Sequence, residues 1–117
     1  MNEISIKNFK KTLSKFTTGV TVVCVKNKGV IYGKTVNSFN SLSLNPPLVL
    51  FSLANSSSSI DIYVKTKFLT INILSKKKKI ISDNFSKKNP ISNKIDFLDG
   101  VNNMSLIKGC IANLECK

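Results

Sequence analysis

Histidine, arginine and tryptophan are missing from this 117-residue sequence, and its six acidic residues face eighteen lysines, a formal net charge of +12. Without histidine, a histidine-ligated metal is excluded, as is a Ser-His or Cys-His nucleophile. Without arginine, the bidentate fork used on bases and phosphates is absent, and no aromatics are interleaved with the lysines, which argues against a nucleic-acid partner. Asn, Ile, Ser and Lys dominate the whole chain, so the charge reads as compositional bias, although it still attracts anions. No apolar run approaches the ~20 residues of a membrane-spanning helix, and no membrane association is expected. The N-terminus carries no basic region followed by an apolar core, so no secretory signal is read and the cytoplasm is the expected compartment. The three cysteines, Cys24, Cys110 and Cys116, match neither a metal knuckle nor a redox pair and read as structural thiols. At 42% hydrophobic and 21% charged residues the sequence is globular, and residues 1–117 are read as a single domain.

Periodicity organises the rest. Ile6, Phe9, Leu13 and Phe16 recur at helical spacing behind Ser5, a candidate N-cap, which predicts a helix from Ser5 to about Phe16. Gly19 releases the chain into a strand over Val20–Lys26, a turn at Asn27-Lys28-Gly29 and a returning strand from Val30 to about Thr35. Leu48–Leu53 reads as a strand buried on both faces. A hydroxyl cluster, Ser56 to Ser59, precedes a short helix over Ile60–Lys65 with Ile60 and Val64 facing inward, and so sits where anions can bind. Lys67–Leu74 alternates as a strand, Ser75 caps a helix through Phe85, Ser86 to Asn103 reads as loop, and Lys108–Lys117 as a final strand. In the lysine run Lys76–Lys79 a solvated, compositional origin outweighs phosphate binding. A helix followed by many short strands predicts a mainly β domain, a barrel with peripheral helices.

The sequence is richest in information between Thr35 and Val49, where Thr35, Asn37, Ser38, Asn40, Ser41, Ser43 and Asn45 crowd between two strand-like runs and end in Pro46-Pro47. Small hydrogen-bonding groups on a stiffened loop can hold backbone N–H groups toward a polar, planar ligand. Five segments occur in the order seen in the flavin reductase-like family: Phe16-Thr-Thr-Gly-Val-Thr-Val-Val23, Gly33-Lys-Thr-Val-Asn-Ser-Phe-Asn-Ser-Leu-Ser-Leu-Asn-Pro-Pro47, Ser56 to Ser59, Phe68-Leu-Thr-Ile-Asn-Ile-Leu74 and Leu114-Glu-Cys-Lys117. From these segments the chain resembles that family.

The resemblance implies an FMN-binding split β-barrel of Greek-key type with peripheral helices. It implies that Thr35, Val36, Asn37 and Ser38 line the flavin, with Ser43, Asn45 and Pro46 continuing the ring contact. Asn55, Ser56 and Ser57 would approach the phosphate, and Phe85 would cover the ring. Each reading has a plainer counterpart. Thr35, Asn37 and Ser38 can satisfy strand-end backbone groups, the serines can form a capping turn, and for Phe85 a place in the core outweighs ring cover. The sequence departs from the family pattern at Lys34, commonly hydrophobic, at Asn45, commonly aspartate, and after Lys117, where further strands with a Gly-Asp-His segment are expected. The domain is therefore read as C-terminally shortened. The function implied is an NAD(P)H-dependent flavin reductase using FMN or FAD with NADH or NADPH. Such a homodimer would supply reduced flavin to a flavin-dependent monooxygenase. The alternative is a non-catalytic FMN-binding protein or the remnant of a reductase.

Overall fold

A computed structural model describes residues 5–8, 20–55, 59–75, 79–86 and 95–117. Residues 6–8 are helical, and the Asn8 N–H donates to Ser5 Oγ at 3.2 Å, the capping bond expected of Ser5. The rest of that expected helix and Gly19 lie outside the described residues, as do Ser56 to Ser58, Lys76 to Lys78 and the stretch 87–94.

Strand β1 (Val20–Asn27) carries its β-branched residues at Val20, Thr21, Val22, Val23 and Val25 and pairs with β2 (Val30–Val36) antiparallel, Thr21 opposite Val36 through Asn27 opposite Val30. The connecting residues Lys28 and Gly29 both take positive φ, 52° and 79°, the turn geometry whose twist matches the flanking strands. A second hairpin, β3 (Asn40–Leu44) with β4 (Pro47–Leu50), follows. Helix α1 (Ile60–Lys65) leads to β5 (Leu69–Leu74), and helix α2 (Lys79–Phe85) packs over β2 and β1. A small hairpin, β6 (Phe97–Asp99) with β7 (Ser105–Ile107), precedes β8 (Ala112–Cys116). The main sheet is antiparallel throughout, in the order β2-β1-β5-β8.

Alternation along β1 divides the core in two. Val22 and Cys24 face a cluster with Leu74, Phe85 and Ile107; Val23 and Val25 face another with Val36, Tyr63 and Ile71. Burying both faces of one strand is why Val20 to Val25 is apolar at every position but Thr21. The alternation expected for β5 holds, with Thr70 and Asn72 on the first face and Ile71 on the second.

Four expectations fail, each for a packing reason. In α1 the inward residue is Tyr63, whose hydroxyl donates to the Val23 carbonyl at 3.1 Å, while Val64 is 75% exposed. The segment after β2 is not all loop, because Asn40–Leu44 pairs with β4. Strand β4 is not buried on both faces either: Leu48 is 45% and Leu50 40% exposed, because its hairpin stands outside the main sheet. Residues 95–107, expected as loop in their larger part, form the hairpin of β6 and β7, whose strands are only three residues long and give too short a pattern to read.

The face bearing Phe85 is tied together by one polar side chain. Asn72 is fully buried; its Nδ2 donates to the Val22 carbonyl at 3.1 Å and to Thr70 Oγ1 at 3.2 Å. Its Oδ1 accepts from the Ile107 N–H at 3.0 Å and from Asn113 Nδ2 at 2.7 Å. Both donor hydrogens and both acceptor directions are thereby used. Replacing Asn72 with alanine takes away the acceptor of the buried Ile107 N–H and of Asn113 Nδ2, and should cost about 2 kcal/mol. Urea unfolding should show a lower midpoint with an unchanged slope; a midpoint equal to that of the parent protein would refute the role.

Candidate functional site

The polar segment begins on β2 and runs into the β3–β4 hairpin. Thr35 lies opposite Val22 on the α2 side of the sheet, where its hydroxyl donates to the Ser82 carbonyl at 2.7 Å. Val36 points to the other face and is buried among Val23, Val25, Tyr63 and Ile71. The two neighbours therefore present their side chains to opposite faces, and both are engaged inside the protein. Asn37 is the first residue of the segment with an exposed side chain.

Ser38 is half-buried. Its Oγ accepts the Ser52 N–H at 2.6 Å and donates to the Ser52 carbonyl at 3.4 Å. Phe39, Phe51 and Leu53, the flanking hydrophobics, pack onto the cluster around Val36 and Tyr63. Together they hold the exit of β2 against the chain leaving β4, close in sequence to Asn55. Ser43 lies beside an irregularity between Ser41 and Ser43 where Leu42 is extruded, 62% exposed. Asn45 and Pro46 form the exposed turn at the far end of the hairpin, joined by a cis peptide bond.

Asn55 is an exposed turn residue. Ser56 and Ser57 lie outside the described residues. Ser59, the residue before α1, makes no side-chain capping bond, and Asp61 puts negative charge in the first turn of that six-residue helix. Phe85 is fully buried, and its ring fills the space that a Cβ on Gly33 would take. It serves the core and offers no surface to a ligand. Sequence reasoning missed Ser52, whose backbone is the partner of Ser38. The available signal was register: with Asn40 opposite Leu50, the next pair of the same phase is Ser38 and Ser52.

Elsewhere, a cleft of about 350 Å³ opens at the β1–β2 turn, lined by Lys26, Lys28, Lys65 and Asp61 among others. It shares no residue with the segment 35–46 and lies at the opposite end of β2 from Val36. Among the described residues, no group of three or more Cys, Asp and Glu could hold a metal ion. No helix there is long and apolar enough to cross a membrane.

A family model described as "Flavin reductase like domain" matches residues 13–117. The chain belongs to the flavin reductase-like family. It is 36% identical over 111 residues to the FMN reductase (NADH) SmoA of Agrobacterium fabrum, covering 95% of this chain and 64% of that protein. It is 32% identical over 115 residues to HsaB of Mycobacterium tuberculosis, the reductase subunit of a flavin-dependent monooxygenase, covering 97% of this chain and 62% of that one. The chain thus spans slightly less than two thirds of either curated relative. Among solved structures, flavin reductase PheA2 superposes with a TM-score of 0.80 at 32% identity, over 97% of this chain and 74% of that one. A homologue of nitrilotriacetate monooxygenase component B from Mycobacterium thermoresistibile superposes with a TM-score of 0.84 at 31% identity, over 95% and 63%. The mainly β fold is therefore that of the flavin reductases.

Burial holds two of the three thiols in their neutral, weakly nucleophilic form. Burial pushes the Cys24 thiol up from its ordinary 9.0 to about 12, with repulsion from Cys110 a smaller cause. Burial likewise raises the Tyr63 phenol, with Cys24 second, and raises the Cys116 thiol. A folded-state value above the unfolded one means the Cys24 contribution to stability is complete below pH about 9 and is lost as pH climbs toward 12. Stability should therefore hold steady up to about pH 9 and then fall. A Cys24→Ala variant, less stable at neutral pH through lost packing, should fall less steeply. Thermal melts across pH 7–11 on both proteins test this; equal slopes would show that Cys24 is not the cause.

Proposed function

We propose that this chain supplies the flavin-binding framework of an NAD(P)H-dependent flavin reductase, using FMN or FAD. The observation that carries the reading is the clamp of Ser38 on Ser52, which brings the exposed Asn37 to the segment leading to Asn55. Residues 37–39 make no backbone–backbone hydrogen bond outside the strand ladders among the described residues, which leaves polar groups for the edge of a planar ring. Asn37 and the backbone about it are assigned to the ring, Ser43, Asn45 and Pro46 to its continuation, and Asn55 with Ser56 and Ser57 to the ribityl phosphate. The described side chains of Thr35, Val36 and Phe85 act from behind, by holding the strand and the core.

A flavin, when bound, supplies hydride-accepting chemistry that no side chain here can provide. What this chain contributes is position: the sheet beneath and the polar segment at its edge, with no described side chain required as acid, base or nucleophile. The reductant assigned is NADH or NADPH, and a relative that serves as a monooxygenase reductase subunit supports the same use of reduced flavin here. The compartment assigned is the cytoplasm. Protein incubated with FMN and desalted should retain flavin absorbance, and NADH or NADPH should bleach it under anaerobic conditions. Retained colour that neither nucleotide bleaches would leave a binding protein without turnover; no retained flavin would remove the reading altogether.

The assembly assigned is a homodimer. On the β3–β4 hairpin Leu42 is 62% exposed, Leu44 89%, Leu48 45% and Leu50 40%. A two-stranded ribbon with that much apolar surface needs cover to persist in water. A second copy of the same ribbon covers it symmetrically and brings Ser43, Asn45 and Pro46 to the interface. Leu44→Asp should shift the protein from dimer to monomer in light scattering over a dilution series. A parent protein that is monomeric throughout would overturn the assignment.

A further inference from the structure

We infer that Ser38 is a positioning residue, whose hydroxyl stands in for a missing rung of the β3–β4 ladder and so keeps the neighbouring backbone available for the flavin. The inference rests on the flavin reading above. It starts from register. The ladder runs Ser41 with Val49 and Asn40 with Leu50, and then β3 and β4 end. In a continued ladder the next pair of the same phase would be Ser38 with Ser52, bonded backbone to backbone. Instead, Ser38 Oγ takes the Ser52 N–H at 2.6 Å and returns a longer bond to the Ser52 carbonyl at 3.4 Å.

That substitution has a chemical consequence. One hydroxyl serves as both acceptor and donor, so the ladder is extended by a side chain while the main chain of 37–39 remains outside it. A backbone pair at this position would spend the polar groups that the proposed site needs. Phe39 on one strand and Phe51 and Leu53 on the other are anchored in the same cluster, so the hydroxyl bridges two segments already held close. With both its bonds directed at Ser52, the Ser38 hydroxyl acts on the flavin through the placement of Asn37 and Asn55 rather than by contact.

Four variants of the chain, Ser38→Ala, Ser38→Thr, Ser52→Pro and the double Ser38→Ala/Ser52→Pro, test the inference by FMN titration and by backbone amide exchange in the FMN-free protein. Ser38→Ala should weaken FMN binding about tenfold and speed exchange at the Ser52 amide by about the same factor. Ser38→Thr, which keeps a hydroxyl, should restore both. Ser52→Pro deletes the donor while leaving the Ser38 hydroxyl in place, and should weaken FMN binding as Ser38→Ala does, the double variant losing no more than either single one. Weakened binding in Ser38→Ala with unchanged Ser52 exchange, or normal affinity in Ser52→Pro, would mean that the hydroxyl touches FMN itself and would overturn the inference. Faster exchange with unchanged affinity would overturn it too. A parent protein that binds no FMN is a different failure: it removes the flavin reading and this role with it, while Ser52 exchange still reports whether the clamp forms.

Discussion

Asn72 is the constraint on which the arrangement of the sheet depends. A fully buried amide is costly unless all its hydrogen-bonding capacity is used, and here each direction is answered by a different part of the chain: the Val22 carbonyl on β1, the Thr70 hydroxyl on its own strand, the Ile107 N–H on β7, and Asn113 on β8. Hydrophobic burial alone is tolerant of small displacements, since apolar contacts are not directional. The amide is not tolerant. It fixes where the short β6–β7 hairpin lies against the sheet, and Thr70 reinforces this by donating to the Ser105 carbonyl at 2.9 Å. No buried side-chain polar atom among the described residues is left unpaired.

From that fixed centre, order decreases toward the candidate site. β1 is buried on both faces and β2 is held by it and by α2, through Thr35 on Ser82 and Phe85 against Gly33. Beyond Val36 the main sheet ends, and the chain is steered by the Ser38 bridge and three anchored hydrophobics rather than by a ladder. A cofactor site suits such a boundary. The framework behind it must be rigid to fix the ring, whereas the ligand-facing backbone must not have its hydrogen bonds already satisfied. Under the proposed function no side chain need act as acid, base or nucleophile: positioning requires donors, acceptors and shape, and a bound flavin would carry the redox chemistry.

Most of the strand framework could be read from the residues. The β-branched run of β1, the Lys28-Gly29 turn and the alternation of β5 are local signals, and each element formed where its pattern placed it. The candidate segment was legible as a unit, because its crowding of small polar residues before a double proline is unusual for a plain loop. Its internal division of labour was not legible. Thr35, Val36, Asn37 and Ser38 are consecutive residues of one segment, yet their side chains go to an α2 carbonyl, to the core, to solvent and to Ser52.

Composition, local periodicity and ordered motifs were enough to reach the class of the fold and the family. That Tyr63 rather than Val64 turns inward, that β4 stays exposed, and that Phe85 belongs to the core emerged with the packing of distant elements. Those outcomes depend on which distant surface each residue meets. An amphipathic pattern states that a face must be buried, but it does not say against what. For Tyr63 the partner is a carbonyl 40 residues away; for Phe85 it is the gap left by a glycine on another strand. Contacts of that range carry no period along the chain, so they are settled only when the strands come together.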